Sequence, residues 1–223
     1  MKKIILLLLV AVSMSTFAQK ELKEGVITMK MNMSTDNEQA KAAFAMIGDI
    51  TTTTHFKGQK ARSEYNNQMT GGQISIVDGK AKKMLLLMDN PMLGKKYMEQ
   101  DIAKTDEELK DITVTANGET KTILDYNCKG YDIVTTQNGQ EIKMKMFVTD
   151  KIAVQEQYTA MLGGKLKGFP MYMVISMNQG GMAMDINMEV TEVKDKSVAD
   201  SKFDMTVPEG YAKLEMPKPT NID

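Results

Sequence analysis

The sequence predicts an α+β chain, mainly antiparallel β. Three observations carry this reading: apolar and polar residues alternate with period two in segment after segment, turn dipeptides bearing glycine separate those segments, and few stretches repeat apolar residues at helical spacing.

The first 18 residues, MKKIILLLLVAVSMSTFA, set Lys2 and Lys3 before an apolar run from Ile4 to Val12 and finish in small residues. That is the layout of a secretory signal peptide cut between Ala18 and Gln19. A bacterial lipoprotein needs an acylated cysteine at the position Gln19 occupies, so the expected product is periplasmic or secreted and not a lipoprotein. No later stretch approaches the roughly 20 apolar residues of a transmembrane helix, and a soluble rather than integral membrane protein is expected. Without the leader, 26 of the 28 basic residues remain against 29 acidic ones, a formal charge of −3. That balance supplies no basic surface for phosphates, so neither nucleic acid nor an anionic membrane is expected as a ligand. The length suits one β-rich domain over residues 19–207 with a tail over 208–223.

From Ile27 onward Met29, Met31 and Met33 alternate with Thr28, Lys30 and Asn32, the pattern of a strand with one buried face. Thr35-Asp36-Asn37-Glu38 reads as a capping box, opening a helix in which Ala40, Ala43, Phe44 and Ile47 recur at helical spacing. Ile50 to Phe56 and Ala61 to Tyr65 read as strands joined at Lys57-Gly58. Ile74 to Val77 and the run from Met84 to Met88 form a hairpin through Asp78-Gly79, a dipeptide suited to a type I′ turn. Glu99 to Asp111 is polar, either a surface helix or an ordered loop.

In the second half, a turn at Asn138-Gly139 pairs Ile133 with Met144 and Tyr131 with Met146 on one face, and Asp132 with Lys145 on the other. Val154, Tyr158, Met161 and Leu162 mark a short helix stopped by Gly163-Gly164. A last turn at Gln179-Gly180 sets Met177 opposite Met182, Ile175 opposite Met184, Met173 opposite Ile186 and Met171 opposite Met188, with Asp185, Asn187 and Glu189 facing water. Beyond Val207 the proline-bearing tail is expected to lie across the surface or fray.

Twenty of the 22 methionines survive removal of the leader, and eleven fall on these stripes: Met29, Met31, Met33, Met144, Met146, Met171, Met173, Met177, Met182, Met184 and Met188. Methionine has three rotatable bonds and a polarizable sulfur, which suit irregular or changing surfaces better than the stiff side chains of ordinary cores. With Tyr131, Ile133, Ile175 and Ile186 they form a candidate apolar wall for a ligand, against the plainer reading that they pack on the helices. The triplets Met-Lys-Met, Met-Tyr-Met and Met-Ala-Met also admit a Cu(I) site, since thioethers are soft ligands, although any strand with a methionine face produces that spacing. His55 shares its face with Thr51 and Thr53 and reads as a solvated histidine.

One histidine and one cysteine, with no G-x-S-x-G, H-E-x-x-H, C-x-x-C or P-loop, leave no catalytic constellation, so neither enzymatic activity nor a cofactor is expected. Cys128 has no partner for an internal disulfide and reads as a small buried hydrophobe.

The order of elements, with the Ile-Val-Asp-Gly-Lys hairpin and a late Val-Pro-Glu-Gly-Tyr, resembles the LolA/LolB-like fold of lipoprotein carriers. Asp125-Tyr126-Asn127-Cys128-Lys129-Gly130-Tyr131, with Phe147-Val148-Thr149-Asp150 after the hairpin, resembles an uncharacterised secreted Bacteroidetes-type family, the domain of unknown function numbered 4412. The resemblance implies a strongly curved half-open barrel with two or three short helices on its concave side. The chain departs from the carriers in having 6% aromatic residues and no Trp, with methionine in their place, and no carrier residue is transferred. The expected function is an exported binding or carrier protein for an acyl chain, lipid or lipoprotein acyl group. An envelope interaction module without a small ligand is the alternative, and a Cu(I) binder the third reading.

Overall fold

A computed structural model describes residues 21–137, 140–154, 157–179 and 181–214. The chain forms β1 (Glu24–Thr35), α1 (Glu38–Ile47), β2 (Ile50–Lys57), β3 (Lys60–Asn67), β4 (Gly71–Asp78), β5 (Lys83–Asn90), β6 (Gly94–Asp101) and α2 (Asp106–Lys110). It continues through β7 (Ile112–Ile123), β8 (Tyr126–Gln137), β9 (Gln140–Thr149), α3 (Gln157–Met161), β10 (Phe169–Gln179), β11 (Met182–Lys194), a 3-10 turn (Asp200–Phe203) and β12 (Ala212–Lys213). All twelve strands belong to one sheet in the order β12-β6-β5-β4-β3-β2-β1-β11-β10-β9-β8-β7. Every pairing is antiparallel except that of β12 with β6.

The sheet must curve. β6 and β7 lie ten strand positions apart, about 48 Å across a flat sheet at the usual strand spacing, yet residues 102–111 alone join them. With one turn of that link coiled into α2, its reach is under about 30 Å. The two ends of the order therefore approach one another without hydrogen bonding, which gives an antiparallel, strongly curved, half-open barrel.

Packing inside the curve agrees. Ile152, Val154, Leu162 and Leu166, from the connection between β9 and β10, lie in one buried cluster with Ile27, Phe56, Ile133, Met146 and Met173. Ala160 of α3 packs instead with Val77, Met84 and Ile102. A single short segment thus touches β4 and β5 on one side and β8 to β10 on the other. It is anchored at the base, where Leu22 N–H donates to Lys151 O at 2.7 Å and Ala153 N–H to Leu22 O at 3.1 Å. The convex side has its own apolar strip: Ile76, Leu85 and Leu87 are covered by Met205, Val207 and Tyr211, and Val26 by Val198 and Phe203. Beyond Val207, Tyr211 packs on the convex strip and β12 adds to the β6 edge; residues 215–223, the leader and the Asn138-Gly139 turn lie outside the described residues.

Local chemistry refines several expectations. The first helix is capped by Asn37, whose Oδ1 accepts from Ala40 N–H at 3.0 Å, and not by Thr35, whose hydroxyl donates across to Ala183 O at 2.5 Å. The capping box occurs at Thr105 and Glu108 on α2, in the segment left open as helix or loop. Asp78 and Lys83 pair across residues 79–82, so that hairpin has a longer loop than a type I′ turn, closed by Asp78 Oδ1 accepting from Lys80 and Ala81 N–H. In the last hairpin Gln179 pairs with Met182, setting Met173 opposite Met188, Ile175 opposite Ile186 and Met177 opposite Met184. Gly181 at φ +83° supplies the left-handed conformation that a tight hairpin demands, which moves the turn one residue onward. That shift changes partners by two residues and so leaves every methionine on its predicted face.

At the outer edge, β7 carries a bulge against β8 between Ala116 and Thr120, where Gly118 adopts φ +79°. Asn117 Nδ2 donates to Asp132 Oδ1 at 3.1 Å and fixes the kink.

Met173, with no exposed surface, should lose about 2–5 kcal/mol of stability on replacement by Ala, and the half-buried Met182 clearly less, as read by urea unfolding.

Candidate functional site

The register places the fifteen predicted wall residues on the concave face. β1 contributes Met29, Met31 and Met33, paired beyond the irregularity at Thr28/Met29 with Val190, Met188 and Ile186 of β11. β10 then sets Met173 between Met188 and Met146, and Ile175 between Ile186 and Met144. Tyr131 and Ile133 of β8 complete the row opposite Met146 and Met144. Met171 sits at a bulge in β10 and is buried in the same cluster.

Burial divides this wall along the strands. At the base, Ile133, Met146, Met171 and Met173 have no exposed surface, Met29, Ile175 and Met188 are buried, and Ile152, Val154, Leu162 and Leu166 of the connection from β9 to β10 pack on the cluster. Toward the end where β1 leaves the sheet, Met33, Met144, Met177, Met182, Met184 and Ile186 are only half-buried, and so are Met31 and Tyr131 at the two flanks of the row through Met188, Met173 and Met146. One face therefore serves two purposes: a filled core below and a partly open apolar surface above.

A cavity of about 340 Å³ opens in that upper half. Ile142, Met144, Ile175 and Met177 line its sheet side, with Met161 and Leu162 from the end of α3. Its rim is polar, formed by Lys104, Glu108, Asp111, Thr135 and Thr136. α2 holds this rim in place: the Thr105 N–H donates to Glu108 Oε2 at 2.8 Å, and Lys104 Nζ lies 3.2 Å from Glu108 Oε1. These contacts, the Thr105 backbone first, keep the Glu108 carboxyl below the usual carboxylate range. Lys165 Nζ donates to the carbonyls of Leu109 and, at 2.5 Å, Ile112, tying the rim to the segment beneath it.

Met144, Ile175 and Met177 are thus the predicted residues that the cavity brings together. Ile142 joins them, continuing the Met144-Met146 alternation in the sequence, and a Thr-x-x-Glu signature marks the start of α2. Lys104, Asp111, Thr135 and Thr136 carry no signal that a single sequence reveals.

Residues 24–211 match the family model described as Domain of unknown function (DUF4412). The chain belongs to that family. No curated protein matches this DUF4412 chain. Among solved structures it is similar to PNGF-II, with 17% identity and a TM-score of 0.48, over 87% of this chain and 31% of that one. It is also similar to the Mycobacterium tuberculosis lipoprotein LppX, with 8% identity and a TM-score of 0.31, over 78% of this chain and 90% of that one. The DUF4412 chain thus spans about a third of the length of PNGF-II. Both TM-scores fall below 0.5.

Away from the cavity, His55 is a departure from expectation. Its side chain is 15% exposed rather than solvated, and Nε2 lies 3.5 Å from Glu64 Oε1 on the convex face. Burial lowers its pKa, helped by the charge of Lys202, against the opposing pull of Glu64. Cys128 is buried as expected, donates to Tyr126 O at 3.4 Å, and has its thiol pushed up to about 11 by burial. No group of three or more His, Cys, Asp or Glu is arranged to hold a metal among the described residues.

Because burial lowers the His55 pKa in the fold below its unfolded value, the unfolded chain takes up the proton more readily, and stability should fall as pH drops through the ordinary histidine range, from about pH 7 toward pH 5. Denaturant titrations of His55→Gln across that range should show a shallower slope than wild type. In the native protein Cys128 should resist a thiol reagent at about pH 8, and denaturant should release its reactivity.

Proposed function

We propose that this protein is an exported, non-catalytic carrier of an apolar ligand of acyl-chain type, delivered to the periplasm or beyond by the predicted leader over residues 1–18. The observation that carries the reading is the cavity of about 340 Å³ floored by Ile142, Met144, Ile175 and Met177. Its size falls within the few hundred cubic ångströms typical of small-molecule sites, and its chemistry matches them: an apolar lining with polar groups only at the rim. Flexible thioethers let such a wall follow chains of different length or branching. The half-buried Met31, Met33, Met182, Met184 and Ile186 extend the apolar surface along the same face, offering further contact to a ligand longer than the cavity.

The buried lower wall favours a second reading, an envelope interaction module that uses its methionines only as packing. The two readings differ in whether the upper half takes up a molecule. Displacement of a fluorescent fatty acid distinguishes them: Met144→Asp and Met177→Asp should each weaken probe binding by about tenfold or more while the circular dichroism of the fold is retained. Unchanged affinity in both folded variants, together with no lipid co-purifying by native mass spectrometry, would sink the carrier reading.

A further inference from the structure

The large apolar side chains exposed among the described residues are Met46, Met69, Met92, Leu93, Leu124 and Met161. The first four crowd one end of the sheet, the same end at which the concave methionines are half-buried. Met69 and Met92 stand on hairpins of one design. Asn67-Gln68-Met69-Thr70-Gly71 joins β3 to β4, and Asn90-Pro91-Met92-Leu93-Gly94 joins β5 to β6.

In the first hairpin Asn67 Oδ1 accepts from Met69 and Thr70 N–H at 2.9 and 3.1 Å; in the second Asn90 Oδ1 accepts from Met92 and Leu93 N–H at 2.8 and 3.0 Å. Each ends on a glycine in the left-handed region, Gly71 at φ +85° and Gly94 at φ +69°. The same asparagines brace the loops to their neighbours. Asn90 Nδ2 donates to Thr70 O at 3.4 Å, and Asn67 Nδ2 to Ile47 O at 3.2 Å, beside Met46 at the end of α1. Three tips are thereby held as one row, with Met92 93% exposed. Apolar side chains displayed together on a hydrogen-bonded frame mark an interaction surface.

We propose that this row docks the protein on a lipid bilayer, with Met46, Met69, Met92 and Leu93 entering the boundary between headgroups and acyl chains. The charge distribution favours a bilayer. Residues 66–72 and 90–94 carry no charged side chain, and Asp49, near Met46, is paired with Lys30 at 2.6 Å. Lys95 and Lys96 follow the second tip directly, and among the described residues no carboxylate lies within 4.0 Å of either, although Asp89 is the cross-strand neighbour of Lys95. Their ammonium groups would stand at the level of headgroup phosphates while the uncharged tips enter the apolar layer. The acidic balance of the whole chain conceals this local arrangement. Separate convex tips also suit a deformable medium better than a pocketed protein surface.

The proposal stands apart from ligand binding, because docking requires only the tips. Its test is co-sedimentation of the ligand-free protein with vesicles of phosphatidylcholine and phosphatidylglycerol. Wild type should sediment with the vesicles, and Met92→Asp with Leu93→Asp should cut partitioning by about tenfold or more, with unchanged thermal unfolding and unchanged fatty-acid probe affinity. Lys95→Glu with Lys96→Glu should weaken binding to the anionic vesicles and leave binding to pure phosphatidylcholine unaltered. The milder Met92→Ser with Leu93→Ser serves if the aspartates disturb the hairpin. No sedimentation of wild type, or equal sedimentation of the folded tip variants, would overturn the proposal. So would concentration-dependent dimerisation abolished by the same substitutions, which would assign the row to a second copy of the chain.

Discussion

The architecture depends on one short connection. Residues 102–111 must join strands at opposite ends of the sheet order, and their limited reach bends the sheet until those strands approach across a gap. Curvature then creates an inside and an outside. The inside receives the chain between β9 and β10, which packs against strands on both flanks. The outside keeps a smaller apolar strip, covered by the segment after β11.

A strongly curved sheet presents an uneven inner surface, and the abundance of methionine on it has a physical reason. Unbranched side chains with three rotatable bonds can fill irregular space where stiff side chains would leave voids or clash. Met146 and Met173, fully buried side by side, do this as core residues. Met144 and Met177, further along the same strands, border space that the protein leaves open. Sequence position along a strand, rather than residue type, separates packing from exposure.

That separation explains what could and could not be read in advance. Period-two alternation specified which side chains share a face, and even the misplaced last turn preserved that face because the pairing moved by two. The depth to which Ile152, Val154, Leu162 and Leu166 penetrate is set by contacts distant in sequence, so no local pattern could show that Met146 would be covered and Met144 not. β6 escaped notice because its Lys95, Lys96, Glu99 and Gln100 break any clear apolar alternation, and its pairing with β5 is a tertiary preference. The solvated environment expected for His55 failed for a similar reason: its neighbours include Lys202, from a segment that returns only at the end of the chain.

The kink in β7 bears on how an open sheet survives in a crowded compartment. An unclosed barrel offers a free row of backbone donors and acceptors along its outermost strand, a template for unwanted strand addition by other chains. At Asn117-Gly118-Glu119 the ladder is interrupted and the backbone turns through a glycine conformation, so an incoming strand could match only a few residues on either side before losing register. The fold can therefore leave its barrel open for access to the interior without presenting a long regular edge for aggregation.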